Sequence, residues 1–205
     1  MRSPRSTAVR LSPVGEALAA ALVGVALSGC QHVPLTSVPA LARVDFATTD
    51  LGQLAAGIAV PPAIHIDPNS VEMTVALTVE GLPLGEERFS LTPLKDPQSK
   101  AELARLAPAG ADVGVYGLDA ADAERFAALR RTMLARKARG ETGSMRIDLS
   151  PKEMCRQGSL PPGPISFDTF LKTSETGRFV PLASDVDLRT LGPDRLDLVD
   201  ALPAC

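Results

Sequence analysis

The chain has 205 residues, a formal net charge of −3 and few aromatic side chains: no Trp, one Tyr and six Phe. A mildly acidic chain disfavours a nucleic-acid partner, because phosphate binding requires a basic face. The scarcity of aromatic rings disfavours aromatic-lined pockets for sugars or quaternary amines. The length favours one domain that can bury a proper hydrophobic core.

The N-terminal residues have the organisation of an export signal. Arg2, Arg5 and Arg10 precede an apolar run at residues 17–27. That run is too short to cross a hydrocarbon core, which requires about 20 residues. A charged start, a short apolar run and small residues after it are typical of secretory signals.

The motif Leu27-Ser28-Gly29-Cys30 ends this stretch and resembles the lipobox of bacterial lipoproteins. The resemblance implies cleavage before Cys30, a diacylglyceryl thioether on its sulfur and acylation of the new amine. Two or three acyl chains anchor a protein stably in a membrane, whereas one binds reversibly. Gln31, where an Asp would favour inner-membrane retention, favours the outer membrane. The alternatives are an ordinary secreted protein with a chance cysteine and a cytoplasmic protein with an apolar first helix.

The motif divides the chain into a signal peptide at 1–29, a tether at 30–40 and one periplasmic domain at 41–205. The signal holds three Arg and one Glu, so the processed chain carries a net charge of −5. The tether has two prolines and no clear period, which is typical of a linker. His32 lies in it, and we expect this side chain to be solvated rather than a ligand.

Cys155 and Cys205 remain once Cys30 carries lipid. In an oxidising compartment we expect them to form a disulfide. The bond would close a loop of 50 residues, which the chain-entropy model values at about 4 kcal/mol. A reactive thiol and a metal site are the alternatives. A metal site would require more ligands than two Cys and the distant His32 and His65.

The first half of the domain alternates between short predicted strands and turns. We predict a strand at 41–46, a capped helix start at Asp50, and a short helix turning into a strand at 54–60. The clearest strand is 71–79, where apolar residues alternate with polar ones as on a half-buried sheet. A loop at 80–85 and a returning strand at 87–92 complete a hairpin.

Residues 119–139 are predicted to form one long helix. Asp119 can cap its start, basic residues crowd its end and Gly140 can close it, which matches the helix dipole. Phe126, Leu129 and Met133 form an apolar stripe along one face.

Basic residues of this helix form a candidate interaction patch at Arg130, Arg131 and Lys137. At 100° per residue, Arg130 and Lys137 project into the arc of the apolar stripe. Their aliphatic stems must therefore lie along the edge of the core with the charged groups in water, or the charged groups must pair with carboxylates. One interpretation is a patch for lipid headgroups or an acidic partner; the other is dipole matching on a solvated face.

Elsewhere the pattern predicts a short helix at 98–106 and strands at 112–117 and 143–150. A second hairpin is predicted from strands at 165–171 and 178–182. In its first strand Ser166, Asp168 and Lys172 alternate with apolar residues, so we expect these side chains to face outward.

The stretch 155–181 resembles uncharacterised bacterial lipoproteins, a similarity that implies no activity.

Strands and helices that are segregated rather than alternating predict an α+β fold. We expect a mainly antiparallel sheet, sandwich-like in one version, with the long helix packed on it. The chain has no Gly-x-Ser-x-Gly, P-loop, Rossmann or His-Glu-x-x-His motif. With two His residues it has little capacity for His-based acid–base chemistry.

Acidic pairs such as Glu86 with Glu87 and Asp185 with Asp187 are expected to be solvated. The second pair could contribute to a calcium site, but an EF-hand loop pattern is absent. We therefore expect a non-catalytic envelope domain without a cofactor, anchored to the membrane, that serves in structure or in binding a protein of the envelope. The alternative is an accessory lipoprotein that binds a small molecule or a metal.

Overall fold

The computed structural model describes residues 32–190, 199 and 201–205. They belong to one compact unit, His32–Cys205, and contain two hydrophobic clusters. The predicted signal peptide and the predicted lipidation site Cys30 lie outside the described residues. No helix among the described residues is long and apolar enough to cross a membrane.

The fold is α+β and is dominated by a curled antiparallel sheet, which confirms the predicted class. The helices are α1 (Val38–Leu41), α2 (Pro97–Leu106) and α3 (Ala120–Ala138). The strands are β1 (Ala55–Val60), β2 (Ile64–Ile66), β3 (Val71–Val79), β4 (Leu82–Pro93), β5 (Asp112–Leu118), β6 (Gly143–Pro151), β7 (Met154–Arg156), β8 (Ser166–Lys172) and β9 (Val180–Asp187). Single 3-10 turns occupy Leu51–Gln53 and Leu188–Thr190.

Seven strands form one sheet in the order β6-β3-β4-β5-β1-β8-β9, and the paired neighbours are antiparallel. Strands β2 and β7 form a separate two-stranded ribbon. Because the seven strands are continuous, the fold is a single curled sheet rather than the sandwich that the sequence left open.

Strand β1 separates the two faces of the sheet. Ala56, Ile58 and Val60 belong to the larger cluster together with Phe126 of α3, whereas Ala55 and Ala59 belong to the smaller cluster. Successive strand side chains point to opposite faces, so α3 and α2 cover opposite faces. The predicted short helix at the start of this segment is wrong, because β1 is apolar on both sides and shows no alternation.

Strand β3 has the predicted bounds, and its alternate residues are buried. The loop after it is shorter than predicted. Glu80 and Gly81 alone make the turn, with φ values of 50° and 76°, as in a two-residue hairpin turn. The predicted loop residues from Leu82 onward therefore belong to β4.

Helix α3 begins at its predicted cap. The Asp119 side chain accepts a hydrogen bond from the Asp122 backbone N–H at 2.8 Å. Asp122 is itself buried and accepts from the Ser90 backbone N–H of β4 at 2.9 Å. Phe126, 1% exposed, lies 5.3 Å from the Phe89 ring between centroids. One polar and one aromatic contact thus fix the helix on the sheet.

The N-terminal part differs from the predictions. Residues 32–37 form turns that lead into α1, and the Ser184 backbone N–H donates to the His32 carbonyl oxygen at 2.9 Å. The His32 side chain is exposed, as expected, while its backbone is hydrogen-bonded to β9. The predicted strand at 41–46 is wrong, because the Asp45 carboxylate and carbonyl accept backbone hydrogen bonds that close a turn.

Strand β8 also departs from its predicted alternation. Asp168 and Thr169 are each 6% exposed, so this strand is buried on both faces. The Asp185 backbone N–H donates to the Asp168 carboxylate at 2.7 Å, and Asp185 has a φ of 55°. The pairing of β8 with β9 is irregular around Thr169. Burial raises the pKa of Asp168, and the nearby Asp185 carboxylate raises it further.

The β2–β7 ribbon is tied to the end of the chain. Cys155 and Cys205 form a disulfide with a Cα–Cα distance of 5.0 Å. The Arg156 backbone N–H donates to the Pro203 carbonyl oxygen at 2.8 Å, and the Cys205 N–H donates to the Arg156 carbonyl oxygen at 3.1 Å. Cys155 lies opposite His65 in the ribbon, so the disulfide stabilises the strand that carries His65.

Candidate functional site

A cleft of about 670 Å³ lies between the C-terminal half of α3 and the adjoining ends of β3 and β6, and we call it the α3 cleft. Its apolar lining is contributed by Leu77, Val79, Phe126, Leu129, Met133 and Met145. Residues 45–47 and 140–144 border the same space. The volume is in the range of about 300–1,000 Å³ typical of small-molecule sites.

The predicted apolar stripe of α3 builds one wall of this cleft, and its packing on the core confirms the prediction. Strand β6 approaches the helix closely at Gly143. A Cβ atom there would lie 3.0 Å from the Thr78 carbonyl oxygen and 3.3 Å from the Met133 Cε. The cleft therefore narrows where the strand lacks a side chain.

The structure divides the predicted basic patch. Arg130 and Lys137 line the α3 cleft, as their place in the apolar arc predicts, whereas Arg131 is exposed outside it. The Arg130 guanidinium donates to the Thr49 backbone carbonyl at 2.7 Å. This hydrogen bond orients the Arg130 head beside the cleft without neutralising its charge.

A second set of charges lies at the C-terminal end of α3. Glu141 accepts from Arg136 at 2.9 Å and from Arg139 at 2.7 Å. Both hydrogen bonds lower the pKa of Glu141, and the one from Arg136 has the larger effect. Neither Arg130 nor Lys137 lies within ion-pair distance of a described carboxylate, although Asp50 attracts Arg130 at longer range. The cleft thus combines an apolar wall with cations and with the carboxylates of Asp45 and Glu141.

A second cavity of about 540 Å³ lies against β5, β1 and β2, and we call it the Tyr116 cavity. His65 is exposed and lines it. Tyr116 is 4% exposed, and its hydroxyl makes no hydrogen bond with the described residues. The sequence pattern did not predict Tyr116 as a site residue. The one local feature that could have indicated it is that the chain's single tyrosine lies two positions after a glycine, Gly114, within a strand.

The predicted acidic pairs have individual partners. Glu86 accepts from Arg88 at 3.0 Å, and Glu87 lies 3.3 Å from Arg125 of α3. Asp187 accepts from the Ile165 backbone N–H at 3.0 Å. Within residues 32–190, 199 and 201–205, no group of three or more His, Cys, Asp or Glu side chains could hold a metal ion.

The arrangement of the α3 cleft suits binding more directly than bond-breaking chemistry. It offers an apolar wall for a hydrocarbon and cationic side chains for an anion, and cation–anion contacts orient a ligand whose apolar part supplies most of the affinity. Comparisons with protein-family models, curated proteins and solved structures give no match for this chain.

Proposed function

We propose that this protein is a bacterial envelope lipoprotein, anchored by acyl chains on Cys30, whose folded part is a non-catalytic binding domain. The lipobox-like motif supports the anchor. The disulfide between Cys155 and Cys205 supports an oxidising compartment, and a domain on the periplasmic side agrees with it. Gln31 favours the outer membrane over the inner membrane.

The occupant of the α3 cleft in this proposal is a single-chain amphiphile with an acidic head group. One observation carries it: Lys137 and Arg130, neither of which lies within ion-pair distance of a described carboxylate, line the same space as Met133 and Leu77. A hydrocarbon chain gains about 0.8 kcal/mol for each methylene removed from water. A carboxylate at the rim would meet the two cations at the point where the chain leaves the apolar wall.

This proposal favours the small-molecule alternative over a purely structural or protein-binding role. The cleft is concave and has the volume of a small-molecule site. The metal-binding version receives no support from the described residues, because they contain no cluster of metal ligands.

A charge series of twelve-carbon amphiphiles tests the ligand class. The protein is residues 32–205, exported behind a secretory leader so that the disulfide forms; this stretch is one compact unit. We expect dodecanoate to displace a fluorescent fatty acid more tightly than dodecanol, and dodecyltrimethylammonium to bind most weakly. Met133→Trp, which fills the cleft, should weaken the binding of all three amphiphiles.

A matched pair of lysine variants isolates the head-group contact. Lys137→Met should weaken the binding of dodecanoate about two- to fivefold, as expected for a partly exposed ion pair, and leave the binding of dodecanol unchanged. Lys95 is exposed and lies outside the cleft, so Lys95→Met should change neither. Equal effects of the two variants, or dodecanol binding as tightly as dodecanoate, would contradict the proposed occupant.

The anchor has a separate test. Intact mass of the membrane-extracted protein should show cleavage before Cys30, two or three acyl chains and an oxidised pair of cysteines. Cys30→Ser should remove the lipid and the cleavage together. A processed Cys30→Ser chain that still sediments with membranes would rule out the lipid anchor, while leaving the ligand proposal to be decided by the amphiphile series.

A further inference from the structure

The Tyr116 cavity has an apolar wall and a polar rim. The wall is built from Ile58, Val60, Ile64, Ile66 and Leu94. The rim carries His65, Lys100 and Asp112, which come from β2, α2 and β5. Three separate elements therefore converge on one space of about 540 Å³, which lies within the size range of small-molecule sites.

Tyr116 is the one described residue with a polar side chain that lines this cavity and is buried as a whole. It is 4% exposed, and no described residue accepts or donates a hydrogen bond at its hydroxyl. The hydroxyl oxygen is not among the fully buried polar atoms of the described residues that lack a partner, which are Ser37 Oγ, Glu72 Oε1 and Glu175 Oε2. It therefore opens on the adjoining cavity, where a ligand oxygen can accept its hydrogen bond.

The sheet is locally adapted to the position of this ring. Tyr116 lies over Gly114, two residues earlier on the same face of β5, and a Cβ at Gly114 would contact the tyrosine oxygen and lie 2.7 Å from the ring Cζ. Glycine weakens a strand, and it marks places where another group approaches the backbone closely. Here the approaching group is the phenol end of Tyr116, which a side chain at position 114 would displace.

The charges around the cavity favour an uncharged ligand. Lys100 and Asp112 contribute opposite charges to the rim. Burial raises the pKa of Tyr116, and the carboxylate of Asp67 raises it further. The phenol therefore stays protonated and is available as a donor, while the negative potential near it disfavours an anion.

We propose that the Tyr116 cavity is a second binding site, which takes a small uncharged molecule with an apolar body and one carbonyl oxygen that accepts a hydrogen bond from Tyr116. The apolar body lies against Ile58 and Ile64, and the carbonyl oxygen meets the phenol. The site is independent of the α3 cleft and of the amphiphile assigned to that cleft.

Three ring compounds of similar shape and different charge test this ligand class. They are cyclohexanecarboxamide, cyclohexanecarboxylate and cyclohexylmethylammonium. Equilibrium dialysis against the full chain in phosphatidylcholine vesicles, with empty vesicles as the blank, gives the dissociation constants. We expect the amide to bind most tightly. Because the chain has one Tyr and no Trp, a saturable change in tyrosine emission on adding the amide reports on Tyr116 alone.

Two substitutions locate the site. Tyr116→Phe keeps the ring and removes the hydroxyl, so amide affinity should fall about three- to tenfold, the value of one neutral hydrogen bond. His65→Trp should block the cavity mouth and abolish saturable binding. Asn69→Trp is the matched control, because Asn69 is exposed nearby and does not line the cavity. Thermal midpoints verify that each variant is folded.

Three results would overturn the proposal. One is the absence of saturable amide binding to the wild-type chain. Another is equal amide affinity of wild type and a folded Tyr116→Phe variant. The third is binding of the carboxylate or the ammonium compound at least as tight as that of the amide. None of these outcomes bears on dodecanoate binding in the α3 cleft, so the two proposals fail separately.

Discussion

The α3 cleft and the Tyr116 cavity differ in what surrounds and supports them. The cleft lies at one edge of the sheet, between a helix and the outermost strand β6, and its charged lining includes Arg130, Arg136 and Lys137 together with Asp45 and Glu141. The Tyr116 cavity lies against the central strands β5 and β1, and its deepest polar group is a neutral phenol. One sheet thus provides two environments that suit ligands of different charge.

The two cavities are also stabilised by different means. The wall of the α3 cleft is held by packing of Phe126 on Phe89 and by the Asp122 contact to β4. The wall of the Tyr116 cavity includes β2, whose partner strand β7 carries the Cys155–Cys205 disulfide. Noncovalent packing therefore supports the α3 cleft, and a covalent bond supports the Tyr116 cavity. Removing each support in turn should affect mainly the cavity that depends on it.

The largest expected effect is that of Phe126→Ala. This ring is 1% exposed and lies between α3 and the sheet, so its removal should lower the free energy of unfolding by about 3–5 kcal/mol. Urea denaturation measures the change. Leu134→Ala, on the same helix but 40% exposed, should change stability by only about 0.5 kcal/mol. Similar losses in the two variants would contradict the packing of α3 described above.

Removal of the disulfide should act on the other cavity. Cys155→Ser combined with Cys205→Ser should cost about 2–4 kcal/mol, mainly through the greater freedom of the unfolded chain. Hydrogen exchange should accelerate first in β2 and β7, since the ribbon loses its covalent support. Faster exchange in α3 than in the ribbon would show that the disulfide does not act locally on the Tyr116 cavity.

Gly114→Ala should displace the Tyr116 ring from its position. The new Cβ would be too close to the ring Cζ, at 2.7 Å before relaxation, and overpacking of this kind costs about 1–3 kcal/mol. In a Tyr116→Leu background the same substitution should cost clearly less. A double-mutant cycle measures this coupling, and purely additive effects would contradict the proposed contact.

The smallest effect is expected at alkaline pH. Burial, followed by the Asp67 carboxylate, raises the pKa of Tyr116 in the folded state. Its contribution to stability is therefore fully present below the unfolded pKa of about 10 and is lost as the pH rises through the folded value. Urea midpoints of wild type should fall more steeply above pH 10 than those of Tyr116→Phe. Parallel curves would show that the phenol is not the titrating group.

The sequence predicts elements well where one face is buried and the other is solvated. Strand β3 alternates along its whole length, and α3 has an acidic cap, a stripe and a closing glycine. Strands β1 and β8 are buried on both faces, so their sequence pattern does not distinguish a solvated face. The alternation of β8 predicted an outward Asp168, and that prediction is wrong because both faces of the strand are covered.

The candidate sites show the same limit. The position of Arg130 and Lys137 beside the apolar stripe follows from helix geometry within one segment, and the sequence predicts it. The role of Tyr116 depends on the pairing of β5 with β1 and on a wall supplied by β2, about fifty residues earlier in the chain. The local sequence pattern contains no information on such convergence, so a single tyrosine in a short strand does not indicate a binding site.

The buried carboxyl of Asp168 and the paired carboxylate of Glu141 respond to acid in opposite ways. Burial raises the pKa of Asp168, so stability at the β8–β9 margin increases as the pH falls through the folded pKa of this group. The arginine partners of Glu141, just before β6, lower its pKa, so their contribution is lost as the pH falls below the ordinary glutamate pKa. Acid therefore favours one margin of the sheet and weakens the charge contacts beside the α3 cleft at the other.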